Sequence, residues 1–133
     1  MTMTLERLTA SPERSLDAPL LTFDIPALLT QMKQESRWQT GDRNAITLLK
    51  AQGLRVVLVA MHASTVIPIH HAEGPISVQV VEGRLVFSAG SRDVTLGKGQ
   101  LLTLQPGIAH GLRAIDECAY LLTIASEALH PAE

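Results

Sequence analysis

The stretch IPIHHAEGPISVQVVEGRLVF, Ile67 to Phe87, decides the fold of this chain. Two adjacent histidines, His70 and His71, precede a segment in which every second residue is apolar. Such alternation is typical of a β-strand with one buried face. A tight turn at Gly83 then leads into a second apolar segment. The stretch therefore predicts two successive strands that follow directly on a pair of histidines.

From Ala45 onward, short apolar segments alternate with residues that favour turns, mainly Gly, Pro, Asp and Ser. Many short strands with regular turn residues predict an all-β sandwich or barrel rather than a parallel sheet with crossover helices. The predicted strands are, in chain order, AITLLKA, LRVVLVAMH, TVIPIH, ISVQVVE, RLVFSA, DVTLG, QLLTLQ, HGLRAI and AYLLTIA.

The N-terminal part has a different pattern, which predicts a polar arm followed by one short helix. Asp24 can cap a helix with Pro26 in its first turn. Apolar residues then recur at helical spacing, at Ile25, Leu28, Leu29 and Met32. We therefore divide the chain into an N-terminal arm and helix at residues 1–44, a β-barrel at 45–126 and a C-terminal tail at 127–133.

One predicted strand, at residues 56–61, is apolar on both faces. Such a strand is covered on both sides. If one face is the barrel interior, the outer face must be covered by residues 1–40 or by a second copy of the chain. We favour the second copy and expect a homodimer, with cover by residues 1–40 as the alternative.

Composition excludes several classes of function. The 133 residues are enough for one domain, and 46% of them are apolar. The net charge of -2 and the 3% aromatic content argue against nucleic acids and anionic membranes as partners. No apolar run is long enough to cross a bilayer. A single cysteine, Cys118, and an N-terminus without a secretory pattern predict a cytoplasmic protein with an inert buried thiol.

Over residues 45–126 the chain resembles the cupin superfamily of small antiparallel jelly-roll barrels. The first cupin motif reads Gly, five residues, His-x-His, three or four residues, Glu, six residues, Gly. If Gly83 closes this motif, the Glu, second His, first His and opening Gly slots fall on Ile76, Ala72, His70 and Ser64. Only His70 and Gly83 match, so the first motif is degenerate.

The second cupin motif is better preserved. It reads Gly, five residues, Pro-x-Gly, two residues, His, three residues, Asn. Gly99, Gly107 and His110 occupy their slots, while Gln105 and Ala114 replace the Pro and the Asn. The resemblance implies that residues 45–126 form a cupin-like antiparallel jelly-roll barrel. With the residues before it, the predicted fold is all-β with an N-terminal extension that contains one short helix.

The resemblance also implies a site inside the barrel. In the family, the three His and the Glu of the motifs bind a divalent transition metal such as Fe, Mn, Ni, Cu or Zn. Ala72 and Ile76 remove two of these donors, which leaves His70 and His110 as metal ligands. His71 is a third candidate donor, provided that a bulge or the strand end near Gly74 and Pro75 turns it inward.

Strand alternation predicts an apolar pocket around these histidines. The predicted lining residues are Ala72, Ile76, Val78, Leu112 and Ala114, joined by one set of the leucines in LLTL at residues 101–104. His62 has the parity of Leu58 and is a further candidate for the cavity, with a solvated strand end as the alternative. We expect a small-molecule-binding cupin and leave three readings open: a metal-dependent enzyme of unknown substrate, a metal-free ligand-binding protein, and a structural or interaction protein without catalysis.

Overall fold

The computed structural model describes residues 15–126, and all the predicted strands are present in it. The predicted polar arm lies partly, and the C-terminal tail wholly, outside the described residues. No helix in the described range is long and apolar enough to cross a membrane. The strands are β1 Arg43–Ala51, β2 Leu54–Met61, β3 Val66–His70, β4 Ile76–Glu82, β5 Arg84–Ala89, β6 Arg92–Gly97, β7 Leu101–Leu104, β8 His110–Ala114 and β9 Cys118–Ala125.

These strands form two antiparallel sheets. The five-stranded sheet has the order β1-β2-β9-β4-β7, and the four-stranded sheet has the order β3-β8-β5-β6. Buried residues from both sheets, among them Val78, Leu85 and Phe87, form one apolar core between them. The described residues thus form a jelly-roll-like sandwich that is not closed into a barrel, and β6 and β7 are edge strands.

The predicted helix is present as α1, Ile25–Met32. The carboxylate of Asp24 accepts a hydrogen bond from the backbone N–H of Ala27 at 3.1 Å, as an N-cap should. A second helix, α2 at Ser36–Thr40, was not predicted. It has only five residues and no side-chain N-cap, and its buried Trp38 shows that tertiary packing holds it in place.

The helices cover the outer face of β2. Leu58 and Ala60 of that strand belong to a second buried cluster, together with Leu29, Met32 and Trp38 of the helices. The alternative that we gave for this face, cover by the N-terminal residues of the same chain, is therefore what the structure shows. The apolar strand no longer requires a second copy, and the homodimer stays a prediction.

Candidate functional site

A bulge in β3 decides where His70 lies. Ile67 pairs with Leu112 and His70 pairs with His110, so three steps along β3 match two steps along β8. In a regular strand Ile67 and His70 would project from opposite faces, because successive side chains alternate. The extra residue of the bulge brings both onto the inner face. Pro68 is tolerated here because β3 is an edge strand and the ladder is already interrupted.

The bulge places the imidazoles of His70 and His110 side by side. Their ring centroids are 4.4 Å apart and their planes are inclined by 57°. His110 is only 4% exposed, and its ring stacks on Phe87 with centroids 5.4 Å apart. His70 is exposed. The pair therefore has one member fixed by packing in the core and one member that solvent can reach.

The hydrogen bonds of the pair fix which ring nitrogen is available. Nδ1 of His70 lies 2.8 Å from the carbonyl oxygen of Pro68, and Nδ1 of His110 lies 2.9 Å from that of Ile108. A carbonyl oxygen can only accept, so each Nδ1 carries the proton. Among residues 15–126, neither Nε2 has a hydrogen-bond partner. Metal-binding histidines commonly donate their second nitrogen to a carbonyl in this way.

The structure does not bring His71 to this pair. His71 is exposed just beyond the end of β3, and the ring contacts of the described residues join only His70, His110 and Phe87 there. No group of three or more His, Cys, Asp or Glu side chains with metal-binding geometry occurs within residues 15–126. The pair thus offers two protein donors.

The predicted lining residues belong to the packed core between the sheets or pack against it. Four of them, Ile76, Val78, Leu112 and Ala114, are buried between the sheets, and Ala72 packs against the same cluster. That a ligand contacts these residues stays a prediction.

An open groove of about 420 Å³ lies beside these residues, between the edge strands β6 and β7. Neither histidine lines it, but two of its lining residues contact His110: Phe87 stacks on the ring, and the carbonyl oxygen of Ile108 lies 2.9 Å from Nδ1. Most residues that line this groove were not predicted, because the alternation of inward and outward side chains was followed only along the strands that carry the cupin motifs. The same alternation in RLVFSA and DVTLG would have found Phe87 and Val94. The lining residues are Phe87, Ala89, Arg92, Val94, Leu96, Leu101, Leu102, Thr103, Leu104 and Ile108.

Comparison with known proteins supports the fold that these features indicate. A cupin-2 domain protein from Shewanella frigidimarina is 15% identical, with a TM-score of 0.63 over 78% of this chain and 94% of that chain. A cupin superfamily protein from Desulfitobacterium hafniense is 10% identical, with a TM-score of 0.62 over 64% of this chain and 78% of that chain. The chain has the cupin fold. No protein-family model and no curated protein matches it.

The same cupin fold occurs in a larger enzyme. Salicylate 1,2-dioxygenase from Pseudoaminobacter salicylatoxidans is 15% identical and superposes with a TM-score of 0.74 over 90% of this chain. This chain spans only 39% of that protein. The likeness therefore concerns the fold.

Two positions that the motif alignment assigns to Gly have a left-handed backbone in this chain. Ser64 falls on the opening Gly slot, and its φ is 72°, a left-handed conformation that favours glycine. Gly83 at the closing slot has a φ of 74°. These two positive φ angles are compatible with the Gly slots of the motif, although Ala72 and Ile76 cannot bind a metal.

Two other candidate residues have structural roles in this cupin fold. His62 stacks on Trp38 with centroids 3.6 Å apart, and its Nε2 donates to the carbonyl oxygen of Trp38 at 2.9 Å. Its side chain lies on the helix side of the sheet, as that of Leu58 does, so His62 does not enter the cavity between the sheets. Burial raises the pKa of Cys118 to about 11, which leaves its thiol protonated and inert at neutral pH.

Proposed function

We propose that this protein binds a small molecule in the groove between β6 and β7, with His70 and His110 as the polar centre of the site. The observation that carries the proposal is the pair of imidazoles on the inner face, 4.4 Å apart and next to an apolar groove of about 420 Å³. Apolar pockets with a few convergent polar groups are the usual form of small-molecule sites.

The chemistry of the pair follows from its hydrogen bonds. Each Nδ1–H is held by a backbone carbonyl, so each neutral ring presents Nε2 as an acceptor. A ligand with hydroxyl or amide donors would bind both rings. Stacking on Phe87 restricts the ring of His110 before any ligand binds. Less side-chain conformational entropy is therefore lost on binding.

A metal-dependent enzyme is the second candidate function, and the two free Nε2 atoms favour it. His70 and His110 would supply two ligands to a divalent ion of Fe, Mn, Ni, Cu or Zn, and water or substrate would supply the others. Such an ion would act as a Lewis acid or activate oxygen when bound. The fold likeness to a dioxygenase supports this candidate only at the level of architecture.

Calorimetric titration of untagged protein with Zn²⁺ and Mn²⁺ tests the metal-dependent candidate. We expect one ion per chain in the native protein, and loss of binding in His70→Ala and in His110→Ala. His71→Ala is the matched control, because this histidine is adjacent but lies away from the pair. Unchanged titrations in the first two variants would contradict the metal site.

The metal-free site has its own readout. Without any ion, a small-molecule extract of cells should raise the melting temperature of the native protein but not that of His110→Ala. If the extract shifts the melting temperatures of the native protein and of His110→Ala equally, and neither protein binds a metal, only the structural or interaction role is left.

The homodimer and the cytoplasmic location remain separate proposals. The dimer is no longer needed to cover β2, since the helices do so. The mass measured by light scattering during gel filtration decides between one chain and two.

A further inference from the structure

A row of four residues crosses the inner face of the four-stranded sheet and connects the histidine pair to a cation. His70 lies opposite His110, His110 opposite Ala89, and Ala89 opposite Arg92. Directly opposed residues on neighbouring strands project from the same face. The row thus presents two imidazoles, one methyl group and one guanidinium, from edge strand β3 to edge strand β6.

Ala89 leaves a gap within this row. Neighbouring strands are about 4.8 Å apart, so the Cα atoms of His110 and Arg92 are separated by about 10 Å. The methyl group of Ala89 fills little of that interval. Ala89 and Arg92 both line the groove of about 420 Å³ between β6 and β7.

Arg92 differs from the rest of the groove lining in its charge. Among residues 15–126, it is the one charged side chain that lines the groove, and no carboxylate of this range forms an ion pair with it. The neighbouring walls are apolar and include Phe87, Val94, Leu104 and Ile108. A cation in an apolar groove attracts an anion that carries an apolar body.

We propose that the groove binds an apolar carboxylate, whose carboxylate pairs with Arg92 and whose hydrocarbon body lies along the apolar walls between Arg92 and Phe87. A planar guanidinium binds a carboxylate through two parallel hydrogen bonds, so one arginine satisfies one carboxylate. A phosphate would leave further charge without a partner in this groove. The inference rests on the proposed function, since it assigns a ligand class to the same groove.

Octanoate and the neutral octan-1-ol are matched probes for this inference, because they share a hydrocarbon chain and differ in charge. Titration at low ionic strength should show octanoate binding about tenfold more tightly than octanol to the native protein. Arg92→Met should abolish this preference and leave octanol binding unchanged. Arg92→Lys should retain part of the preference for octanoate over octanol. Added salt should reduce this preference in the native protein.

Arg113→Met is the control variant. Arg113 is exposed and lies in β8 opposite Val86 of β5. It is three residues from His110, so its side chain projects from the other face of the sheet. This substitution removes the same charge and should leave the preference for octanoate intact. An equal loss in Arg113→Met and Arg92→Met would overturn the inference, since it would reflect net charge alone. Absence of any preference in the native protein would overturn it as well.

Zn²⁺ titration of the same variants separates this inference from the proposed function. Zn²⁺ that binds the native protein and Arg92→Met equally, but not His110→Ala, supports the histidine site whatever the octanoate result. If octanoate shows no preference while this Zn²⁺ pattern holds, the ligand class is wrong and the site stands. If neither probe nor Zn²⁺ binds the native protein, both proposals fail.

Discussion

Gly83→Ala is the substitution whose cost the structure defines best. Gly83 joins β4 to β5 and has a φ of 74°, which places it in the left-handed region. A Cβ built at this position would overlap the carbonyl oxygen of Glu117 and lie 2.8 Å from both Cα and Cβ of Cys118. These atoms belong to backbone or to a buried side chain, so they cannot move away at low cost.

Two contributions add to the predicted loss of stability. Alanine is strained in the left-handed conformation, but it also lowers the conformational entropy of the unfolded chain, which offsets part of that strain. The net loss of stability from these two effects is about 1 kcal/mol. Overpacking of a rigid site adds about 1–3 kcal/mol. The total is about 2–4 kcal/mol, a large part of the ordinary stability of a domain, about 5–15 kcal/mol.

Urea unfolding of Gly83→Ala and Gly90→Ala separates these contributions. Gly90 also has a positive φ, 60°, but a Cβ there would meet no atom within 4 Å. Gly90→Ala should therefore lose about 1 kcal/mol, and the difference between the two variants measures the overlap. An equal loss of unfolding free energy in the two variants would show that the overlap at Gly83 has no cost, contrary to this prediction.

Three further predictions follow from single residues. Ser64→Gly should raise the unfolding free energy by about 0.5–1 kcal/mol in urea, because relief of the left-handed strain exceeds the added chain entropy; a loss of stability would contradict this. Burial lowers the pKa of Lys33, but hydrogen bonds to Glu117 and Glu82 outweigh it, and the net pKa is raised above 10.5. Lys33→Met should accordingly cost about 1 kcal/mol at neutral pH. That difference should persist up to the unfolded-state pKa and vanish as pH rises through the folded-state pKa, which urea titrations at several pH values would show. Cys118, with its pKa raised to about 11, should react with iodoacetamide at pH 8 only as fast as the protein unfolds; native protein that reacts as fast as a free thiol would disprove the burial.

Most of the fold could be predicted because its elements have strong local patterns. The strands show alternation or continuous apolar runs, and α1 has both a capping Asp24 and helical spacing. The short α2 has neither, since it depends on the packing of Trp38 beneath it. The cover of β2 could not be decided from the sequence, because an apolar outer face fits a helix layer and a second chain equally well.

The candidate site was only partly predictable. The motif spacing identified His70 and His110. Strand alternation, however, cannot relate the face of His70 in β3 to the face of Ile76 in β4, because the segment from His71 to Pro75 lies outside both strands. The true reason that His70 faces inward is the bulge beside Pro68. A proline within a strand does indicate an edge or a bulge, yet it does not specify which neighbours the bulge displaces.

Anomalous diffraction from crystals soaked in Zn²⁺ tests most directly whether the two histidines form one site. We expect a single ion within bonding distance of Nε2 of both His70 and His110, at about 2.0–2.1 Å from each. An ion bound to one ring alone, with the other ring turned toward solvent, would contradict it.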